Sequence, residues 1–434
     1  MNIRWHRAFV RCHYCNTPRK SDGICLIYLA MHALDMEIFD DERFWAWVEA
    51  HNNDDPAKLR LAWHEREPWI DDAVRQVECR RKYRRKLQYE ISYDRFYFPT
   101  SLSGEQSTGD ELARIHAAMI PSRTHTIVDL TSGLGVDAMT IARATGVHVV
   151  AVERDSVVSA ALRHNAGVVG ANVEAICADC RDYLESVPDG SFDIAFIDPA
   201  RRDADGGRVF GIRDCEPDIL TMLPLLRRKV RTLIVKLSPM LDVTRTLRDL
   251  PGTTDLWSLG SSTECKEIVA CCDLQADISS DYEPDIHAVT PNGEISFRLG
   301  EEACAESKYG TPMAGGWLYE PWPAVMKVAP WRLLSSRYGM VQLHPNTHLY
   351  YSPGPVSDFP GEGRRILEVL SFASSVLKQL PRRYSRMQVA ARNFPMAANV
   401  LSRKLRAKEG YGAPRLMATI VVPDTPVLIV LEGQ

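Results

Sequence analysis

From about His125 to Leu274, short apolar segments alternate with stretches of helical length, and this rhythm limits the fold more than any other feature of the chain. Thr126–Leu130 (TIVDL), Val147–Val152 (VHVVAV), Val173–Cys177, Phe192–Ile197 (FDIAFI) and Thr232–Leu237 (TLIVKL) are rich in β-formers and lack polar alternation. Strands of that kind are buried on both faces, which calls for a parallel sheet with helices above and below it. Right-handed crossovers then make a doubly wound, Rossmann-like α/β domain. Glu267–Asp273 (EIVACCD) reads as a final strand, reached through Asp255–Leu259 (DLWSL) and a turn at Gly260-Ser261-Ser262.

The flanks differ. With 434 residues the chain has room for two to four domains. Residues 36–118 predict a helical domain: Phe44, Trp45, Val48, Leu59, Leu61, Ala62 and Trp63 recur at helical spacing, and Asn52–Pro56 breaks one helix from the next. Tyr93–Gln106 reads as an extended connector, followed by a helix from about Thr108 to Ile120. The α/β domain is expected at 119–278. Residues 279–434 predict an α+β region with strands at Ile295–Leu299, Tyr338–Leu343, Gly363–Leu370, Leu416–Val422 and Val427–Leu431, and helices at Ala324–Val328 and Ala397–Leu405.

Residues 1–35 form a leader of uncertain status, with Met31 or Met36 as alternative starts. Its apolar run, Ile24–Leu34, is too short to span a bilayer and is followed by acidic residues, so it makes a poor signal peptide. Cys12 and Cys15 form a C-x-x-C, but no fourth ligand has zinc spacing, and no metal is expected anywhere in the chain. Eleven cysteines, several within apolar runs, predict a cytoplasmic protein with reduced thiols.

Chemistry concentrates at the strand ends. The first strand runs into Asp129-Leu-Thr131-Ser-Gly133-Leu-Gly135, where two glycines let backbone approach a ligand and a helix N-terminus follows. The polar insert at Asp129 and Thr131 suits the ammonium of an amino-acid moiety. The second strand ends in Glu153-Arg154, and an acid there can accept both hydroxyls of a ribose. Asp179 and Cys180 follow the third strand, where Asp179 can accept from an adenine amino group. The fourth ends in Asp198-Pro199-Ala200-Arg201-Arg202. Lys236 stands at the tip of the fifth and faces the same crevice. Asp137 reads as a helix N-terminal residue favouring the dipole, and Gln106, Ser107 and Thr108 as either cofactor liners or caps.

This ordered set resembles the class I S-adenosylmethionine-dependent methyltransferases over roughly residues 120–275. The resemblance implies a Rossmann-like methyltransferase sheet with Asp129, Thr131, Gly133, Gly135, Glu153, Arg154, Asp179, Cys180 and Gln106 on the cofactor. Asp198-Pro199 is similar to the catalytic loop of amino-methylating members, which casts Asp198, Pro199 and Arg201 as catalytic. DPARR (198–202), Arg208-Val209-Phe210, Glu216-Pro217-Asp218, VKLSPMLD (235–242), SLSGEQS (101–107) and RNFP (392–395) resemble bacterial methyltransferases with a THUMP-like C-terminal domain. That implies an RNA acceptor, tRNA or rRNA, with Arg202, Lys236, Arg392, Arg403 and Lys404 on the substrate side. Amino-methylating enzymes follow Asp-Pro with Pro and a stacking aromatic, whereas Ala200 and Arg201 stand here. Methylation of a small molecule or protein, or cofactor-dependent RNA binding without transfer, are the rival readings.

The net charge of −4 conceals segregation. Lys378, Arg382, Arg383, Arg386, Arg392, Arg403, Lys404, Arg406 and Lys408 lie in one stretch without an acid, and Arg80–Lys86 reads RRKYRRK. Asp35–Asp72 is acidic in compensation. Two basic stretches, one carrying Tyr384 and Phe394, predict a surface that follows phosphates.

Overall fold

The computed structural model describes residues 38–64, 66–201, 211–276, 282–408 and 410–433. The expected leader at 1–35 lies outside the described residues, as do Arg202 and Arg208–Phe210.

Three helices open the described chain: α1 (Glu42–Ala50), α2 (Pro56–Trp63) and α3 (Ile70–Tyr83). Asp41 caps α1 through the N–H groups of Arg43 and Phe44, and Asp55 caps α2 through those of Ala57 and Lys58. Their inner faces bury Phe44, Trp45, Trp47 and Trp69 against Tyr97. This aromatic cluster is joined to the sheet domain by polar contacts. The Asn165 amide accepts from the Tyr97 N–H at 2.8 Å and donates to its carbonyl at 2.9 Å, while Phe39 stacks on His164 at 4.3 Å.

The segment expected as an extended connector, Tyr93–Gln106, ends instead in a helix, α4 (Ser101–Gln106). The reason is local: the Thr100 hydroxyl accepts from the Ser103 N–H, and Ser103 returns a bond to the Thr100 backbone, so two orphan donors are met at once. Helix α5 (Asp110–Ala118) follows.

A nine-stranded sheet forms the centre. Its strands are β1 (Ile127–Asp129), β2 (Val149–Glu153), β3 (Val173–Cys177), β4 (Phe192–Ile197), β5 (Val230–Leu237), β6 (Thr253–Gly260), β7 (Cys265–Asp273), β8 (Asp285–Thr290) and β9 (Gly293–Arg298). The spatial order is β3-β2-β1-β4-β5-β7-β6-β8-β9, with β1 to β5 mutually parallel and β7 antiparallel between β5 and β6. Helices α6 (Val136–Thr145), α7 (Ser156–Val168), α8 (Cys180–Ser186), α9 (Ile219–Lys229) and α10 (Val243–Asp249) supply the crossovers. The reversal of strand order at β1/β4 opens the crevice where such sheets bind ligands.

The sheet runs on to Arg298, past the boundary expected at 278/279, because β8 pairs in parallel with β6 and β9 turns back on β8. Strand β8 was not expected, since DIHAVT sets a histidine and an acid among its apolar residues in place of the continuous apolar run of the central strands.

An eight-stranded sheet follows, built from β10 (Lys308–Tyr309), β11 (Trp317–Pro321), β12 (Val341–His344), β13 (Thr347–Ser352), β14 (Gly361–Ser371), β15 (Gln388–Arg392), β16 (Arg415–Val421) and β17 (Thr425–Leu431). Helices α11 (Leu299–Cys304), α12 (Pro323–Val328), α13 (Trp331–Arg337), α14 (Ser374–Arg383) and α15 (Ala398–Leu405) accompany it. Helix α12 packs on β8 and β6, and Trp322, Ala324, Val325, Tyr350 and Phe359 join Val128, Val152 and Leu233 in one continuous core. No described helix is long and apolar enough to cross a membrane.

Candidate active site

The two glycines after β1 have separate jobs. Gly135, with φ +85°, starts α6, and a Cβ there would sit 2.0 Å from Leu162 Cδ1 on α7, so it serves close helix packing. Gly133, with φ +51°, would direct a Cβ into open space, and its N–H donates to Glu153 Oε2 at 2.9 Å. The open side of Gly133 beside the Glu153 carboxylate is a cradle that a ligand with vicinal hydroxyls fits. Glu153 Oε1 accepts from the Asp155 N–H at 2.8 Å, which fixes the carboxylate plane and leaves further lone pairs on both oxygens.

Asp129 is buried at the tip of β1 and accepts from the Thr131 N–H at 3.1 Å. Burial, then the charge of Asp137, push its carboxyl up to about 8. An ammonium placed against it would restore the ionised form, so the residue fits the amino-acid end of the cofactor. The Thr131 hydroxyl accepts from the Asp198 N–H at 2.6 Å, tying the glycine turn to the loop after β4. Asp179 is exposed and caps α8 through the Arg181 and Asp182 N–H groups, with its second oxygen outside that cap. Cys180 is buried in the core, and burial raises its thiol to about 11, so it packs rather than reacts. Arg154 turns outward and pairs with Glu216 at 3.0 Å, away from the role expected for it.

On the other side of Asp198 lies a cavity of about 890 Å³. Gln106, Thr108, Asp198, Pro199, Lys236 and Glu267 are among the residues that line it, and no described lining residue is aromatic. Its floor is a chain of buried charges. Lys236 Nζ donates to Asp198 Oδ2 at 2.7 Å and to the Thr108 hydroxyl at 2.8 Å. The Thr108 hydroxyl in turn donates to Asp137. His116 bridges Asp137 at 2.8 Å and Glu267 at 2.6 Å, and Glu267 closes the ring 3.9 Å from Lys236.

Burial disfavours the charges on His116, Asp137 and Lys236, and the attraction of their neighbours outweighs it. His116 is raised to about 9 against its own desolvation by Asp137 and Glu267. Lys236 is held well above the ordinary lysine range by Asp198, Asp137 and Glu267, and Asp137 well below the carboxylate range by Lys236 and His116. Lys236 is therefore a fixed ammonium, not a base.

The sequence pointed to Asp198 and Lys236, and the structure joins them. It missed His116 and Glu267, and read Asp137 as a helix-dipole residue when it is the centre of the ring. A signal was present: Glu267 borders the apolar run Ile268–Cys272 and His116 stands on the apolar face of α5, and buried charges need partners.

The remaining expected residues scatter. Pro199 is buried beside Asp198, and Ala200 and Arg201 pair with Glu216 and Cys215 in a short antiparallel ribbon. Arg392 donates to Glu320 at 2.6 Å. Arg403 and Lys404 are exposed on the last turn of α15, and neither lines the cavity. The stretch RRKYRRK divides: Arg80 is buried and reaches the carbonyls of Ile91, Tyr93, Asp94 and Phe96, Arg81 donates to the Asp54 carbonyl, and Lys82 pairs with Glu105.

Comparison with known proteins bears on the class. Residues 317–360 match a family described as a ferredoxin-like domain, and residues 361–432 one described as THUMP domain-like. Two curated proteins from strains of Mycobacterium tuberculosis, named uncharacterized S-adenosylmethionine-dependent methyltransferases, are each 25% identical over 357 residues, spanning 81% of this chain and 92% of theirs. A crystal structure of a proposed methyltransferase from Porphyromonas gingivalis aligns with a TM-score of 0.82 at 29% identity, spanning 92% of this chain and 98% of that one. Fold, strand-end residues and relatives agree: the chain is a methyltransferase of the class I S-adenosylmethionine-dependent type, with a THUMP-like C-terminal domain.

Proposed function

We propose that this enzyme transfers the methyl group of S-adenosylmethionine to a base in structured RNA, tRNA or rRNA. The observation that carries the transfer reaction is the shared position of Asp198: its N–H is held by Thr131 of the glycine turn, and its carboxylate forms one wall of the acceptor cavity. Cofactor and acceptor sites thus meet at one residue.

Asp129, Thr131, Gly133 and Glu153 would hold the cofactor, with Asp179 toward the adenine and Gln106 reaching it from the lining of the acceptor cavity. When bound, it supplies an electrophilic methyl group on a sulfonium, so the protein contributes position and electrostatics. Asp198, paired with Lys236 at 2.7 Å, accepts a hydrogen bond from the acceptor group and orients its lone pair. The Lys236 ammonium, fixed by the carboxylates around it, offers N–H to an oxygen on the acceptor without leaving its place. Pro199, buried behind Asp198, stiffens the loop.

The RNA assignment is supported by the THUMP-like resemblance of residues 361–432 and by the exposed basic residues of α14 and α15. The cavity lined without a described aromatic favours one rival, cofactor-dependent RNA binding with no transfer. Tritiated methyl transfer to total RNA from a strain lacking the gene, with mass spectrometry of its nucleosides, decides between them. The expected result is one methylated nucleoside that is absent from the deletion strain and restored by the enzyme. Cofactor binding with no label reaching RNA would overturn the proposal.

A further inference from the structure

The cavity beside Asp198 has a rim that the cofactor chemistry does not use. Four cations from three separate elements stand on it: Arg85 and Lys86 after α3, Arg114 on α5, and Lys266 on β7. Arg85, Arg114 and Lys266 are exposed, and none of them makes an ion pair among the described residues.

The carboxylates that share the cavity wall are mostly committed elsewhere. Glu105 pairs with Lys82 at 2.9 Å, Asp198 with Lys236 at 2.7 Å, and Glu267 with His116 at 2.6 Å. Asp110 accepts from the Tyr89 N–H at 2.8 Å. Glu111, exposed in the first turn of α5, is the remaining acid on the wall, against four cations.

The rim is also built to stay in place. Lys86 Nζ donates to the Gly104 and Glu105 carbonyls at the end of α4, at 3.2 and 2.6 Å, and its own carbonyl accepts from the Asp110 N–H at 2.9 Å. Like charges held this close repel: burial, and after it the charges of Lys236 and Lys266, push the Lys86 amine down to about 8. Such an arrangement is relieved when an anion enters between the cations.

We propose that Arg85, Lys86, Arg114 and Lys266 form a phosphate-binding subsite at the mouth of the acceptor cavity, which holds a phosphodiester of the acceptor strand. This rests on the RNA reading for the identity of the strand, while the anion site itself stands on the rim geometry alone. The helical N-terminal region thereby contributes to substrate binding through the second half of RRKYRRK, and its first half maintains the fold. Arginines at Arg85 and Arg114 add a planar face that can lie against a base, in a cavity whose described lining has no aromatic.

Amine labelling tests the subsite without any need for turnover. The full chain is treated with an amine-reactive reagent in the presence and absence of inorganic pyrophosphate, and modification is quantified by mass spectrometry. The expected result is protection of Lys86 and Lys266 several-fold greater than that of Lys404, lost in Arg85→Glu/Arg114→Glu with an unchanged thermal midpoint. Equal protection at all three lysines, or protection that survives the double variant, overturns the subsite. The same variant in the RNA methylation assay should raise KM about tenfold and lower the salt slope by roughly two. An unchanged KM with active wild type also overturns it. Wild type that binds cofactor and labels no RNA refutes the RNA reading instead, and leaves the pyrophosphate result to decide the anion site.

Discussion

The basic stretches 80–86 and 378–408 look alike in sequence and differ in nearly every physical respect. In the first, Arg80 is buried under four backbone carbonyls, Arg81 and Lys82 bind neighbouring segments, and Arg85 and Lys86 face a cavity. In the second, Lys378, Arg382, Arg386, Arg403, Lys404, Arg406 and Lys408 are all exposed around α14 and α15. The outward face there is continuous, because Leu377, Leu380, Leu401 and Leu405 turn the other side of each helix into the core. Like charges in a row therefore carry no single meaning. What separates them is where the side chains end: on buried carbonyls and neighbouring segments in the first stretch, and mostly in water in the second.

The largest effect should come from Arg80. Arg80→Met leaves several buried carbonyls without donors, and denaturant unfolding should register a loss of about 3–5 kcal/mol. A loss below 1 kcal/mol would erase the distinction between the two stretches. Next stands Lys236, the buried cation of the site. Lys236→Met should retain cofactor binding by calorimetry and lower kcat on the order of 10²–10³-fold; near-normal turnover would remove Lys236 from the chemistry.

The third effect is on pH. His116 stays protonated to about 9 against an ordinary 6.5, so the stability it supplies is whole below 6.5 and is lost as pH climbs through 9. Asp129 acts in the same direction, since its folded carboxyl keeps a proton to about 8 whereas the unfolded one ionises near 3.8. Stability should fall from about pH 4 to 8 through Asp129 and from pH 6.5 to 9 through His116, each by on the order of 1–3 kcal/mol, and His116→Gln should flatten the upper part of that fall. A thermal midpoint constant over this range contradicts the buried ring. The smallest structural effect belongs to the exposed stretch. Arg403→Glu/Lys404→Glu should leave stability within about 0.5 kcal/mol while weakening RNA retention about tenfold at low salt. Retention equal to wild type would take RNA away from α15.

The sheet was legible because β1, β2 and most of β4 and β5 are buried on both faces, which writes short apolar runs into the chain, whereas the edge strand β3 leaves Glu174 and Cys177 exposed. The acids at their tips were legible for the opposite reason, as charges standing where the runs stop. Strand β8 was not, because DIHAVT alternates: Ile286 and Ala288 are buried while His287 pairs with Asp255 across the sheet. Helix α4 was hidden by a Pro and a Gly nearby, although Thr100 and Ser103 held the cap that makes it. The ring His116–Asp137–Glu267 joins residues up to 151 positions apart, and no local pattern encodes such a contact. Lys236 could be placed at a strand tip; its partners could not.

The core that Val128 and Leu233 share with Trp322 and Phe359 has a practical corollary for anyone dissecting this chain. Boundaries drawn by family resemblance fall at 317 and 361, but one buried core crosses the first of those lines, from Val128 to Phe359. A fragment cut after β9 would present β8 and β6 stripped of α12, an apolar wall open to water. The lifetime of the catalytic half is thus written partly in residues that belong, by ancestry, to its neighbour.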